Sequence, residues 1–210
     1  YVIGGLDKQV GIECQVYTSE NNSWLFEFPS LPKGRFNSVC FVYRDSLYVF
    51  GGTDNSSNMN EIVRYDLSTQ NSGEWTTIAK VNEANQRGGV AFVVEDKVYA
   101  GLGEKSNGIR NGFYVSSDSL TKWELIPSIP AQLGVISSGV YDEQKKSFFM
   151  IDNDGKIWEY NLTTEQWTSR SLWIRMKNYH MFMLDGSIYI LGQDIYQKNK
   201  FTVYNPIWDN

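Results

Sequence analysis

The sequence predicts an all-β fold, a β-propeller of four-stranded antiparallel blades, and three observations carry this prediction. A short apolar run that ends in glycines, best formed at Tyr48–Gly52, returns in looser copies along the chain. Each repeat holds short β-type runs that are separated by turn residues. A tryptophan follows each copy, and successive tryptophans lie 41 to 51 residues apart, at Trp24, Trp75, Trp123, Trp167 and Trp208. Four strands in a repeat of about 40–50 residues are typical of a propeller blade.

We predict one domain over residues 1–210, with about five repeats of which the first and the last are incomplete. Nothing precedes Tyr1 to serve as an inner strand, and the last repeat stops shortly after Trp208, so its outer strand is truncated. The chain starts without a methionine or a positively charged leader, so we expect it to be part of a longer chain. The approximate blades are residues 1–32, 33–82, 83–130, 131–174 and 175–210.

The elements follow from local composition in each repeat. In the second repeat, the hairpin Tyr43–Leu47, with turn residues at its tip, joins an apolar run at 38–43 to the glycine-ended strand, and the polar stretch 52–58 predicts an exposed loop. In the fourth repeat Asp152-Asn153 replaces the glycine pair, and we expect the turn to persist because Asp and Asn tolerate positive φ. The other predicted strands are residues 1–5, 14–18, 24–28, 63–67, 88–94, 98–100, 148–151, 157–161, 178–184, 188–191 and 201–204.

Residues 35–76 carry a family resemblance. An arginine, an apolar strand, a short turn, the glycine-ended strand, the Tyr65-Asp66 pair and Trp75 follow one another in this order. The order resembles a kelch repeat, as found in the kelch-like and galactose-oxidase-like propellers. The resemblance implies that a partner or ligand is held at the rim of the central channel.

Other repeats depart from this pattern. Leu102 interrupts the glycine pair of the third repeat, and Gly192-Gln193 keeps only half of it in the fifth. The stretch Ser116–Trp123 resembles the Asp-box turn of sialidase-type propellers, with Leu120 where that turn has glycine.

The composition limits the classes of function. The net charge is −5, which argues against broad nucleic-acid binding because such binding needs a basic face. No run approaches the roughly 18 apolar residues of a membrane span, so we predict none in this chain. Cys14 and Cys40 both lie in or beside β runs, and we predict that they are buried free thiols.

We predict no metal and no cofactor. The chain has one histidine, His180, and no Cys-x-x-Cys pair, so transition-metal ligands are scarce and the copper site of galactose oxidase has no counterpart. A catalytic triad would need His180, whose strand-like surroundings favour a structural role. Paired carboxylates for sugar chemistry stay open as an alternative, with candidates Asp118, Asp142, Asp152, Asp154 and Glu159.

Positive residues before the inner strands are the predicted ligand-binding set. Arg35 or Phe36, Arg87 and Lys177 precede the glycine strands at nearly equal distances. For these residues and His180 the kelch resemblance implies a weakly cationic channel mouth that suits an acidic peptide or another carboxylate. The alternative is that these are solvated charges at the start of strands.

The sequence therefore favours a non-enzymatic kelch-like module that binds a protein or carbohydrate ligand through a loop face or the channel mouth. The alternative is a sugar-active enzyme, either a glycoside hydrolase or a sugar isomerase or epimerase on the same scaffold. An enzyme predicts catalytic groups that converge in one pocket, whereas a binding module predicts an open polar face. Loops rich in Asn, Ser and Thr lead us to expect an exported bacterial protein, periplasmic or at the cell surface.

Overall fold

The computed structural model describes residues 1–106, 108–109, 112–117, 119–130, 138–152, 154–173, 176–194 and 196–206. Within these ranges the chain forms five antiparallel blades of a β-propeller, so the predicted all-β fold is confirmed. Helix is confined there to two short 3-10 turns, Leu67–Thr69 and Asn82–Ala84. None of the helical segments in the described ranges has the length and apolarity to cross a membrane.

The blades follow one another along the chain. The first contains β1 (Val2–Ile3), β2 (Cys14–Thr18) and β3 (Ser23–Phe28). The second contains β4 (Val39–Tyr43), β5 (Ser46–Phe50), β6 (Glu61–Asp66) and β7 (Thr76–Lys80). The third contains β8 (Val90–Val94), β9 (Lys97–Gly101), β12 (Phe113–Ser117) and β13 (Glu124–Leu125), with β10 (Glu104–Lys105) and β11 (Gly108–Ile109) as a small hairpin.

The fourth blade contains β14 (Gly139–Asp142), β15 (Ser147–Ile151), β16 (Lys156–Asn161) and β17 (Gln166–Trp173). The fifth contains β18 (Lys177–Leu184), β19 (Ser187–Gln193) and β20 (Asn199–Tyr204). The first and fifth blades each have three strands in the described residues, as the sequence predicts. The inner strands β4, β8, β14 and β18 contact one another in this order, so the blades stand side by side around a common axis.

The core lies between the blades. In β5, Leu47 and Val49 pack against the first blade, whereas Tyr48 and Phe50 pack towards the third. Strand β15 is also buried on both faces. Phe148 and Met150 face the third blade, whereas Phe149 and Ile151 face the fifth. A strand that is buried on both faces has no polar side. This explains why apolar and polar residues do not alternate regularly along these strands.

The glycine turn of the second blade is required by a close backbone approach. Gly51 has a φ of +64°, and a Cβ placed there would lie 2.4 Å from the carbonyl oxygen of Ala84 in the linker to the next blade. In the fourth blade a side chain holds the corresponding turn. Asp152 Oδ1 accepts hydrogen bonds from the backbone N–H groups of Asp154 and Lys156, both at 2.9 Å. The turn at Asp152 is thus held by its carboxylate, while Asn153 lies outside the described residues.

Two leucines occupy backbone conformations that favour glycine. Leu102 and Leu120, which stand where the resemblance leads us to expect glycine, have φ values of +63° and +59°. A left-handed conformation costs a residue with a Cβ about 1–2 kcal/mol. Both side chains are fully buried in the clusters on the two faces of the third blade, and this burial offsets the cost.

Tryptophans fasten blades to the linkers that precede them. The indole N–H of Trp75 donates to the carbonyl oxygen of Pro29 at 2.9 Å, and that of Trp167 donates to Pro127 at 2.6 Å. Both acceptors belong to the segment between the preceding blade and the tryptophan's own blade. These two tryptophans therefore connect their own blade to the end of the preceding one. Trp123 donates within its own blade, to Leu120.

One prediction about the cysteines is wrong. Cys14 is buried, and this burial raises the pKa of its thiol to about 11. Cys40 is exposed. It lies on β4 with Val42, on the face directed away from the third blade, and the first blade has no inner strand in the described residues to cover it.

Replacing Trp75 with Phe keeps an aromatic face but removes the donor to Pro29. We expect the free energy of unfolding to fall by about 1–2 kcal/mol, because the half-buried Pro29 carbonyl loses its donor. Urea denaturation followed by circular dichroism measures the change.

Trp24→Phe is the matched control. The Trp24 side chain is half exposed, and its indole N–H makes no hydrogen bond with the described part of the chain. We expect a change within about 0.5 kcal/mol in the 1–210 polypeptide. Equal losses in the two variants would contradict the fastening role of Trp75.

Candidate functional site

The rim of the propeller is defined by equivalent residue pairs that extend the inner and glycine strands. Phe36 pairs with Thr53 in the second blade, and Arg87 pairs with Glu104 in the third. Lys177 pairs with Gln193 in the fifth blade. Of the two alternatives Arg35 and Phe36, the structure therefore places Phe36 at the position equivalent to Arg87 and Lys177.

Arg35 lies one residue earlier and is fully buried. Its Nη1 donates to the carbonyl oxygen of Gly51 at 3.2 Å, and its Nη2 pairs with Glu61 Oε2 at 3.4 Å. Burial lowers the pKa of the Arg35 guanidinium, and the charge of Glu61 acts in the opposite direction. In this structure Arg35 has no exposed surface that a ligand could contact. Its side chain instead acts as a bracket, which here means that its bonds to Gly51 and Glu61 hold the glycine turn in place.

Gln86 occupies the corresponding bracket position in the third blade. Its Oε1 accepts from the N–H of Gly103 at 2.8 Å, and its Nε2 donates to the carbonyl oxygen of Glu83 at 3.1 Å. The residue before the rim position is thus structural in both blades, and the residue at the rim position, Arg87 in the third blade, reaches the surface.

Arg87 is held by Glu104 and is still 43% exposed. Its Nε and Nη2 donate to Glu104 Oε2 at 3.1 and 3.0 Å. Its Nη1 makes no hydrogen bond with the part of the chain that the structure describes. The ion pair therefore orients the guanidinium and leaves one side of it open.

A polar cavity of about 220 Å³ lies beside this pair. It opens between the loop 53–58 of the second blade and the turn 104–106 of the third, and side-chain hydroxyl and amide groups surround it. The lining residues are Thr53, Asn55, Ser56, Ser57, Asn58, Arg87, Glu104, Lys105 and Ser106.

The loop beside the cavity is ordered by its own hydrogen bonds. Asp54 Oδ1 accepts from the N–H groups of Ser56 and Ser57 at 3.0 and 2.9 Å, while Lys33 Nζ pairs with Asp54 Oδ2 at 2.8 Å. The hydrogen bond from Lys33, followed by those from the two serines, holds the pKa of Asp54 well below its usual range. Asn58 Nδ2 donates to the carbonyl oxygen of Glu104 at 3.0 Å and ties the loop to the next blade.

The remaining predicted site residues do not join Arg87. His180 lies exposed on β18, where it pairs with Leu191 on the outward face of the fifth blade. Lys177 occupies its rim position through backbone pairing with Gln193. The structure thus brings Arg87, Glu104 and Asn58 together, and the sequence analysis singled out only the first of these.

Three of the five candidate catalytic carboxylates are engaged in structural contacts. Asp142 Oδ1 accepts from two backbone N–H groups in the β14–β15 turn, and Asp152 also accepts from the indole of Trp158 at 2.8 Å. Glu159 forms a buried ion pair with Arg170. Asp154 lies exposed in its turn, and Asp118 lies outside the described residues. Among the described side chains, no three His, Cys, Asp or Glu residues are grouped closely enough to hold a metal ion.

Comparison with known proteins supports the fold. The family model of the Kelch motif matches residues 34–82, which span the second blade. The chain is similar to the solved structure of YjhT, with 15% sequence identity and a TM-score of 0.75 over 97% of this chain and 80% of that chain. No curated protein is detectably similar to this chain in sequence.

Replacing Arg35 with Ala should lower the free energy of unfolding by about 2–4 kcal/mol. The change leaves the Gly51 carbonyl without its donor and Glu61 without its buried partner. Urea denaturation of the variant measures the loss.

Arg44→Ala is the control, because Arg44 is exposed in the β4–β5 turn and pairs with an exposed Asp96 at 3.7 Å. Such a pair contributes about 0–1 kcal/mol. A similar loss in both variants would mean that the Arg35 bracket does not stabilise the glycine turn.

Proposed function

We propose that this β-propeller, whose second blade carries a Kelch motif, is a non-enzymatic binding module that holds a carboxylate-bearing ligand, on a protein or a glycan, at the rim around Arg87. The observation that carries the proposal is the half-exposed Arg87 guanidinium, which Glu104 fixes on one side and which lies beside a preformed polar cavity.

The chemistry of the guanidinium suits this ligand. Arginine presents a planar set of donors that matches a carboxylate through two parallel hydrogen bonds. Glu104 accepts from the Nε and from one of the two N–H groups of Nη2 in Arg87, so Nη1 and the second N–H of Nη2 remain for the two oxygens of an incoming carboxylate. Because Glu104 restricts the side chain before binding, less rotamer entropy is lost when the ligand arrives.

The loop supplies the second half of the proposed site. The side chains of Asn55, Ser56 and Ser57 are exposed at the cavity, and they offer amide and hydroxyl groups that suit sugar hydroxyls or a peptide backbone. A loop rich in Asn and Ser also suits an exported protein, so acidic glycans and acidic peptides of cell surfaces are the first ligands to test.

The contacts of Asp142, Asp152 and Glu159 favour binding over catalysis. A glycosidase needs two carboxyl groups on either side of a bound sugar, and a general base needs a free proton-accepting atom. Asp142, Asp152 and Glu159 instead accept hydrogen bonds from the protein. At Arg87 the acidic partner Glu104 is already paired with the arginine.

Replacing Arg87 with Ala should weaken binding of an acidic ligand by tenfold or more, because the proposal assigns two charge-assisted hydrogen bonds to this side chain; tenfold corresponds to about 1.4 kcal/mol. Arg87→Lys should show an intermediate loss, since an ammonium group keeps the charge without the planar fork. Arrays of acidic glycans and acidic peptides identify a ligand, and calorimetry then measures its affinity.

Arg44→Ala serves as the control, because it removes an exposed arginine from the β4–β5 turn instead of the rim. It should bind as the unchanged protein does. The proposal fails if no acidic glycan or peptide binds, or if Arg87→Ala and Arg44→Ala bind equally well.

A further inference from the structure

A second cavity lies in the first blade, within the loop that connects β1 to β2. Its volume is about 660 Å³, and its lining includes the backbone of Gly5 and the side chains of Asp7, Lys8 and Glu13. We call it the first-blade cavity, and we call the cavity of about 220 Å³ beside Arg87 the Arg87 cavity.

Equivalent hydrogen bonds show that both cavities open on the same side of the propeller. The N–H of Gly5 donates to the carbonyl oxygen of Arg35 at 2.9 Å. In the next blade, the N–H of Gly52 donates to the carbonyl oxygen of Gln86 at 2.8 Å. Each bond stands at the start of the loop that lines the cavity of its blade, so one ligand can reach both loops from the rim side.

A short series of backbone contacts joins the two cavities. Gly5, which lines the first-blade cavity, is hydrogen-bonded to Arg35. Phe36 follows Arg35 and pairs with Thr53, which lines the Arg87 cavity, through two hydrogen bonds of 3.0 Å. One step along the chain is about 3.8 Å and such a pair is about 5.5 Å wide, so the cavities lie about 10–15 Å apart.

The two cavities carry opposite net charges. Two cations and one anion line the Arg87 cavity, which gives a net charge of +1. These residues are Arg87, Lys105 and Glu104. Two anions and one cation line the first-blade cavity, which gives a net charge of −1. These residues are Asp7, Glu13 and Lys8.

The charges of the first-blade cavity are available to a ligand. Asp7 and Glu13 are exposed, and their carboxylates make no hydrogen bond or ion pair within the part of the chain that the structure describes. Between the two cavities, Lys33 in the linker pairs with Asp54 at 2.8 Å, and these two charges neutralise each other. The surface thus runs from a positive cavity over a neutral pair to a negative cavity.

An extended peptide matches both the spacing and the charges. A strand rises about 3.3 Å per residue, so residues i and i+4 are about 13 Å apart and point to the same side. An acidic side chain at one of these positions suits Arg87, and a basic side chain at the other suits Asp7 and Glu13. The second cavity favours a peptide over an acidic glycan, because the carboxylates of such a glycan supply no cation.

We propose that the Arg87 cavity and the first-blade cavity together bind an extended segment of a partner protein that carries an acidic residue and a basic residue four positions apart. The inference rests on the proposed function, because it takes Arg87 as the site of the acidic residue. Exposed charge pairs are individually weak and are screened by salt, so binding is modest and weakens as the ionic strength rises.

Short synthetic peptides test this proposal. The two probes are Glu-x-x-x-Lys and the reverse order Lys-x-x-x-Glu, in which x is glycine or serine, and fluorescence anisotropy at low salt measures their affinities. One order should bind better than the other, because a peptide has a direction. In that peptide, replacing lysine with alanine should weaken binding about threefold or more, which is within the range for an exposed ion pair. Placing lysine next to glutamate should have the same effect, because the ammonium group then cannot reach the first-blade cavity.

Charge reversal gives a readout that partial unfolding does not produce. Asp7→Lys combined with Glu13→Lys makes the first-blade cavity positive, and this variant should prefer a peptide in which a second glutamate replaces the lysine. Glu20→Lys is the control, because Glu20 is exposed in the β2–β3 turn at the other end of the first blade. It should keep the original preference for lysine, and circular dichroism confirms that both variants are folded.

Three outcomes overturn the proposal. These are no binding of either peptide order, equal affinity after lysine is replaced with alanine, or an unchanged preference in the charge-reversed variant. Failure of the proposed function looks different, because Arg87→Ala would then bind acidic ligands as tightly as the unchanged protein does. An acidic glycan that binds through Arg87 while neither peptide binds would retain the proposed function and reject this inference.

Discussion

Burial of apolar sheet faces between neighbouring blades is the constraint on which the rest of this structure depends. A central strand such as β5 or β15 is buried on both faces, so its blade has no polar side on which to face water. An isolated unit of this kind would expose both apolar faces, and stability therefore comes from stacking successive units. The glycine turn at Gly51 and the tryptophan bond to Pro29 both serve to bring one blade close to the next.

This constraint also decides where polar chemistry can lie. Because the faces of the sheets are used for packing, functional side chains are confined to strand ends and loops. At the start of each inner strand, the pleat then separates two neighbouring roles. Arg35 and Gln86 point into the protein and hold the glycine turns, whereas Phe36 and Arg87 occupy the rim. One residue of register thus distinguishes a structural arginine from a candidate ligand-binding one.

Features that repeat along the chain could be predicted from the sequence. The glycine-ended strands, the tryptophans from Trp24 to Trp167 and the loop at 52–58 are local patterns with local causes, and each is found in the structure, whereas Trp208 lies outside the described residues. The site depended on register and neighbours, which a single sequence does not contain. The pairing of Arg87 with Glu104 emerges only when β8 and β9 align. Cys40 is exposed because the first blade has no inner strand in the described residues to cover it.

The candidate site and the packing of the blades are mechanically linked, because the site is built from two blades. The loop of the second blade reaches the third through Asn58 and the Glu104 carbonyl, and the N–H of Gly52 donates to the Gln86 carbonyl at 2.8 Å. From the other side, the N–H of Gly88 donates to the Asn37 carbonyl. A small change in the angle between the two blades would strain all three contacts and move Arg87 relative to the loop. The geometry that orients Arg87 for a ligand is therefore maintained by the same inter-blade packing that forms the core.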